Sequence, residues 1–140
     1  MNFQIRHHAA DIQPADLADI QPDLLPGRID YLSSRIRDGF VYLAARDNEN
    51  VGFLIYSIWW GNTPFIELLT VKPECRRSGA GTALLEAAVR DIKAKGFRDI
   101  ISSAIAANPL GVQFHEKKGF QKLESLSMPH AQEQFFRLKI

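Results

Sequence analysis

Val71-Lys72-Pro73-Glu74-Cys75-Arg76-Arg77-Ser78-Gly79-Ala80-Gly81-Thr82 joins an apolar run to an amphipathic one. If the second run is a helix, its start leaves N–H groups without intrahelical partners. It also carries the positive end of the helix dipole, and the two together bind phosphate. Gly79 and Gly81 remove side chains where a phosphate would approach the backbone. Arg76, Arg77 and Lys72 add positive charge. The segment therefore reads as a phosphate cradle, against the plainer alternative of a Gly-rich turn with exposed arginines. It is neither of two familiar cradles. A P-loop ends in Gly-Lys-Ser/Thr, whereas Thr82 follows Gly81 directly, and a dinucleotide fingerprint needs a third glycine where this chain has Leu84.

Other residues could move protons. Glu67 lies in an otherwise apolar run, Phe65-Ile66-Glu67-Leu68-Leu69, where a carboxylate is costly unless it faces a cleft or water. His115 follows Phe114, and an imidazole with an ordinary pKa of ~6.5 can exchange a proton near neutrality. The bland alternatives are a solvent-facing Glu and a packed His. Tyr31, Tyr42 and Tyr56 are further proton donors that nothing in the sequence ranks. Trp59-Trp60 ends a strand run, so alternation sends one ring to each face, one to the core and the other either exposed or lining a substrate cleft. No metal centre is expected. His7 and His8 are adjacent and point opposite ways on a strand, and no Cys/His cluster has zinc spacing. Cys75, the single cysteine, reads as an exposed thiol beside two arginines. Lys117-Lys118 reads as a solvated helix end, with a phosphate contact as the minor alternative.

The elements that must position these groups follow from periodicity. Phe3 to His7 alternates as a strand, and Ala9 to Ile20 has helical spacing with Asp11 as N-cap and Pro14 early. Arg28 to Asp38 reads as a helix with Ile29, Leu32 and Ile36 on one face, closed by Gly39. Phe40 to Arg46 and Val51 to Trp60 form a predicted hairpin across Asp47-Asn48-Glu49-Asn50. Phe65 to Val71 is a third strand of this group. Thr82 to Lys95 is the clearest helix, striped by Leu84, Leu85, Ala88 and Ile92 and followed by Gly96. Asp99 to Ala106 is a strand, and Asn108-Pro109 opens a short helix ended by Gly119. Phe120 to Leu126 and Gln134 to Ile140 close the chain as an antiparallel pair. The fold class is α/β in the broad sense. It is an α+β mixed sheet, mostly antiparallel, with about four helices and one parallel pair flanking the Thr82–Lys95 helix.

Composition bounds the rest. A chain of 140 residues with 46% apolar and 24% charged residues reads as one globular domain, 1–140. Seventeen Lys and Arg against sixteen Asp and Glu leave a net charge of +1, which argues against a general nucleic-acid binder. The longest apolar stretch, Phe53 to Trp60, is far short of the ~20 residues a membrane-spanning helix needs. A single cysteine, with no signal-peptide pattern, makes the cytoplasm the expected compartment.

At this point the sequence resembles a family. Arg76-Arg77-Ser78-Gly79-Ala80-Gly81 fits the Arg/Gln-x-x-Gly-x-Gly/Ala signature of the GNAT N-acetyltransferase superfamily, and Val71-x-Pro73 and Leu84-Leu85 match its flanks. Asn108-x-x-Gly111-x-x-Phe114-His115-Glu116-Lys117-x-Gly119-Phe120 resembles the family's second motif, and the element order is similar over essentially the whole chain. The resemblance implies an acyl-CoA N-acyltransferase fold and acetyl-CoA as donor. Arg76, Arg77, Ser78, Gly79, Ala80, Gly81 and Thr82 would hold the pyrophosphate. The edge at Leu69, Thr70 and Val71 would take the pantetheine arm. Asn108, Phe114 and Lys117 would complete the donor site. In the family a splay beside this strand opens the slot for the arm, and periodicity shows no such splay here.

The implied chemistry is thioester aminolysis, which needs a neutral amine. An alkylamine with a pKa of ~10.4 must give up about 4.6 kcal/mol to be neutral at pH 7, whereas a thiol leaving group of pKa ~8.5 departs with less help. A base therefore matters more than an acid. Glu67 occupies a place where the family often carries a Glu, and is the expected base. His115 stands where many members have Tyr, which puts the usual acid step in doubt. Trp59, Trp60 and Tyr31 are the expected acceptor contacts. The expected partner is a small-molecule or peptide amine, bound by a monomer or homodimer, with no nucleic acid or membrane involved. The alternative function is a non-catalytic acyl-CoA sensor or interaction module. A nucleic-acid domain built on Lys72, Arg76 and Arg77 is a distant third.

Overall fold

The computed structural model describes residues 2–24 and 26–140. Its elements in chain order are β1 (Gln4–Arg6), α1 (Pro14–Ile20), α2 (Ile29–Arg37), β2 (Val41–Arg46), β3 (Glu49–Trp59), β4 (Thr63–Val71), α3 (Ala80–Ala94), β5 (Asp99–Ile105), α4 (Pro109–Lys117), β6 (Gln121–Ser127) and β7 (Gln132–Lys139). Short 3-10 turns at Ala9–Asp11, Pro22–Leu24 and Pro73–Cys75 punctuate them. The seven strands run in the order β1-β2-β3-β4-β5-β7-β6, and β4 with β5 is the parallel pair. Among the described residues no helix is long and apolar enough to cross a membrane.

Two compact units emerge, 1–57 with 68–91, and 58–67 with 92–140. In the first, β2 and β3 form a hairpin whose two turn residues, Asp47 and Asn48, have φ of 52° and 63°. That is the left-handed pair a tight hairpin turn needs, in residues that tolerate it. The turn is two residues shorter than the predicted one. Val41, Leu43, Phe53 and Ile55 pack against Ile12, Leu17, Ile20, Leu24, Leu32 and Ile36 from the α1–α2 segment. The opposite face carries Tyr42, Leu54 and Tyr56, buried like Leu84 and Ala88 of α3. Burial on both faces explains why these strands read as continuous apolar runs. Ile29, expected on the buried face of α2, is half exposed. Gln13 rather than Asp11 is the N-cap residue of α1, with its N–H donating to Asp16 Oδ2 at 2.9 Å. Residues 9–11 are a 3-10 turn, because Pro14 can start a helix but cannot sit in its interior.

Two contacts seat α3 in this unit. Tyr42 Oη donates to Asp91 Oδ2 at 2.6 Å while its ring stacks on His7 at 4.1 Å. Burial and this hydrogen bond push the Tyr42 hydroxyl far above its ordinary pKa. Burial works to raise Asp91 too, but the Tyr42 bond and the charges of Arg90 and His7 hold it below its usual value. The second contact is at Gly52 of β3. A Cβ there would lie 3.0 Å from the Thr70 carbonyl oxygen and 3.2 Å from both Leu84 Cδ1 and Val71 Cγ2. The missing side chain lets β3, β4 and α3 close on one another.

In the second unit, β5 pairs antiparallel with β7, and β7 with β6. Residues of even number, Ile66, Ile100, Ser102 and Phe136, are buried on the α4 side. Phe65, Ile101, Ser103 and Phe135 alternate onto the other face and stay half-buried.

Gly52→Ala is expected to destabilise the protein by about 1–3 kcal/mol, as overpacking does. The check is urea unfolding. The midpoint should fall with the slope unchanged.

Candidate active site

In the first unit, β4 leads through the Pro73–Cys75 turn into α3. Cys75 N–H donates to the Lys72 carbonyl at 2.9 Å, and Ala83 N–H to the Gly79 carbonyl at 3.0 Å, which makes Gly79 the cap of α3. Arg77 and Gly79 both take left-handed φ, 63° and 93°. Alternating backbone of this kind aims successive N–H groups into one concavity. Among the described residues no hydrogen bond uses the N–H groups of Ser78, Gly79, Ala80, Gly81 or Thr82. A Cβ at Gly79 would meet only the Phe3 ring, at 3.9 Å. Arg76 and Arg77 are exposed beside this row, and the Ser78 hydroxyl donates to the Cys75 carbonyl. These are the features an anion requires: open backbone donors, a helix start, and nearby guanidinium groups.

Lys72 differs from expectation. Its ammonium lies 3.6 Å from the Asp19 carboxylate and 3.5 Å from that of Glu49, and its side chain is only 13% exposed. It is committed to those acids and adds no free charge to the cradle. Cys75 is buried rather than exposed, because the 3-10 turn folds it inward. Its sulfur lies within 4.8 Å of carboxylate oxygens of Glu49 and Glu74, three groups of ligand type that the sequence does not bring together. Leu69, Thr70 and Val71 are half-buried, with Thr70 Oγ1 donating to Gln21 Oε1 at 3.0 Å. Tyr31 packs on the α1–α2 core under the Arg35 guanidinium, 4.9 Å from the ring centre.

In the second unit, among the described residues, β4 pairs with β5 at Phe65–Ile101 and Ile66–Ser102, and no pairing of Glu67 with β5 is found. Glu67 is half-buried on β4, just past the last residue paired with β5. Trp59 stacks on Phe65 at 4.1 Å, and Trp60 meets Trp59 edge-on at 5.7 Å. The two indoles therefore touch instead of taking opposite faces. Trp60 has left the strand, with φ of 52°, so strand alternation no longer governs it.

The second motif folds into α4. Asn108 caps the helix, its side-chain oxygen accepting from Gly111 N–H at 3.4 Å. Phe114 is half-buried with Lys118 Nζ 5.8 Å from its ring centre, and Lys117 is exposed. His115 is 6% exposed and engaged on all sides. Nδ1 lies 2.7 Å from the Gly111 carbonyl, Nε2 lies 2.7 Å from Ser102 Oγ, and the ring stacks on Phe136 at 4.5 Å. A carbonyl only accepts, so Nδ1 carries the proton and, in the neutral ring, Nε2 accepts from Ser102. Burial lowers the His115 pKa from its ordinary 6.5, opposed by the Gly111 bond. Sequence reasoning missed Ser102, whose buried hydroxyl fixes this ring. It also missed Gly52, although a glycine inside an apolar strand is a recognisable sign of close backbone approach.

Comparison with known proteins fits this geometry. Residues 4–120 match the acetyltransferase (GNAT) family. The chain is 31% identical over 103 residues to the aminoglycoside N(6')-acetyltransferase type 1 of Klebsiella aerogenes, spanning 67% of this chain and 68% of that protein. Ard1 from Thermoplasma volcanium superposes with a TM-score of 0.83 at 18% identity, over 100% of this chain and 99% of that one. An Elizabethkingia anophelis GNAT family acetyltransferase with acetyl-CoA bound gives 0.74 at 19% identity, over 99% of each chain. At such identities the two structures bear on the fold alone.

The neutral, buried His115 carries a pH signature. The unfolded chain takes up a proton near 6.5, whereas the folded ring resists it. Its contribution is thus complete above 6.5 and declines as pH falls toward the folded value. The urea midpoint is expected to drop between pH 7 and pH 5 by more in the wild type than in His115→Asn.

Proposed function

Because the chain belongs to the acetyltransferase (GNAT) family, we propose that it binds acetyl-CoA at Arg76–Thr82 and transfers the acetyl group directly to a primary amine, in a small molecule or peptide. One observation carries this reading. The N–H groups from Ser78 to Thr82 have no acceptor among the described residues and stand at a helix start beside two exposed arginines. They suit a pyrophosphate. Leu69 and Val71, on the strand that leads into the cradle, offer backbone groups to the amides of the pantetheine arm, as in strand addition. That the β4–β5 ladder stops before Glu67 supports an open edge there. Asn108, Phe114 and Lys117 enter through the second motif: Lys117 as a further cation for donor phosphates, Phe114 as an apolar wall, and Asn108 chiefly as the cap of α4. The family match covers residues from both compact units, which supports reading 1–140 as one acetyltransferase domain.

Bound acetyl-CoA supplies an activated acyl carbon and a thiolate leaving group. Glu67 takes the proton that the ammonium must lose before its nitrogen can attack that carbon. The C–N bond forms as the C–S bond breaks, the nitrogen releases its second proton to solvent as it becomes the amide, and the departing thiolate takes a proton from solvent. The half-burial of Glu67 on β4, within an otherwise apolar run, supports this role. His115 is proposed as a positioning group that holds α4 to β5 through Ser102. Both of its nitrogens are already committed.

A second reading, a non-catalytic acyl-CoA sensor, is favoured by that same commitment of the residue at the usual acid position. Turnover separates the two. Glu67→Gln is expected to lower kcat by roughly 10²–10⁴-fold, the usual worth of a general base. Acetyl-CoA affinity should hold within about twofold, and rising pH should restore part of the rate as the amine loses its own proton. A kcat equal to wild type across the pH range removes Glu67 from the mechanism. Arg76→Glu, at an exposed position beside the cradle, replaces a guanidinium with a carboxylate that repels a phosphate. It should weaken acetyl-CoA binding at least ~10-fold, or about 1.4 kcal/mol, without lowering the melting temperature.

A further inference from the structure

The turn between β3 and β4 is built against its own preference. Asn62 N–H donates to the Trp59 carbonyl at 3.0 Å, and the two residues between, Trp60 and Gly61, have φ of 52° and 72°. Left-handed backbone at both central positions is the pattern of a tight hairpin turn that favours Asn, Asp or Gly. The hairpin at Asp47 and Asn48 in this same chain obeys that rule. At Trp60 a bulky aromatic residue occupies the strained position. Packing does not explain it, since Trp60 is 85% exposed. A residue that breaks a local rule without a structural return marks a functional position.

Trp60 does not stand alone. Its ring meets Trp59, Trp59 stacks on Phe65 with ring planes 25° apart, and Phe65 faces Phe135 at 6.2 Å. The four rings form a track along the half-buried face of the second unit. Glu67 follows Phe65 by two residues on β4, so strand alternation gives it this same face, roughly 7 Å further along. At the other end of the face, Arg98 and the Arg137–Asp99 pair line a hollow of about 340 Å³ together with Asn62, Thr63 and Ile101. The arginines there disfavour an ammonium group. The face therefore has a direction, with flat apolar rings in the middle and the carboxylate that would receive an amine toward one end.

We infer that this track is the acceptor subsite and that it selects primary amines carried, on a short linker, by a flat aromatic body. The body lies along the solvent side of the Trp59–Phe65 stack, against the open face of Trp60, and the amine reaches Glu67. This rests on the acetyltransferase reading above and narrows its acceptor. Aromatic faces also attract the ammonium form before it loses its proton.

The test compares 2-phenylethylamine with glucosamine, a primary amine without an aromatic body, in the wild type and in Trp60→Asn. Asn is the residue this turn prefers, so the variant is expected to melt at a higher temperature. The expected kcat/KM preference of the wild type for 2-phenylethylamine is at least ~10-fold, falling at least ~5-fold in the variant through KM. Quenching of tryptophan fluorescence by 2-phenylethylamine, without acetyl-CoA, should weaken in parallel. Equal use of the two amines, or a preference untouched by Trp60→Asn, overturns the proposal. So does concentration-dependent self-association that Trp60→Asn abolishes, which would make the rings an interface between copies. If no amine is acetylated but 2-phenylethylamine still binds in a Trp60-dependent way, the subsite stands and the acetyltransferase reading fails.

Discussion

Five successive backbone N–H groups, Ser78 to Thr82, have no acceptor among the described residues, and much of the first unit's packing serves to keep them so. Left-handed φ at Arg77 and Gly79 aims them. The Gly79 carbonyl starts α3 without a side chain over the cradle. Buried Ala80 and Leu84 hold the first turn against the sheet, and Gly52 lacks a Cβ that would crowd β4 and α3. Lys72 is drawn away to Asp19 and Glu49, which leaves the backbone and two arginines to set the electrostatics. A preorganised set of donors needs no rearrangement when an anion arrives, which suits this turn to the phosphate-binding role proposed for it.

The second unit shows a different use of polar groups. His115 and Ser102 are buried, but each satisfies the other, and the Gly111 carbonyl takes the remaining ring proton. That closed set ties α4 to β5 on one face. The opposite face keeps Phe65, Ile101 and Phe135 half-covered and carries the one turn in which an exposed tryptophan occupies strained backbone. A helix-covered face and an open aromatic face on the same strands are what period-two alternation allows.

Much of this was legible in the sequence. The strand–Arg/Gly turn–helix order, α3 with its apolar stripe, the cap at Asn108 and the parallel pair all follow from local chemistry and spacing. What the sequence hid depends on partners far along the chain. Asp19 and Glu49 claim Lys72, Ser102 fixes His115, and Thr70 and Leu84 meet Gly52. No local pattern encodes the first two, and a glycine inside an apolar strand signals a close approach without naming what approaches. Cys75 looked exposed because its neighbours are charged, yet a 3-10 turn buries it. Trp59-Trp60 looked like two strand positions because tryptophan does not signal a left-handed turn, and Gly61 alone does not show that the turn starts one residue earlier. The extent of the β4–β5 ladder was equally invisible, since strand pairing length leaves no periodicity of its own.

The central claim is that the Arg76–Thr82 turn is an acyl-donor site. Calorimetric titration of the protein with acetyl-CoA, with ATP and NAD as controls, tests it most directly. The account predicts one site per chain with micromolar affinity for acetyl-CoA and much weaker heats from the other two. No binding of acetyl-CoA, or equal binding of all three, would contradict it, leaving an N–H-lined turn without selectivity for the donor.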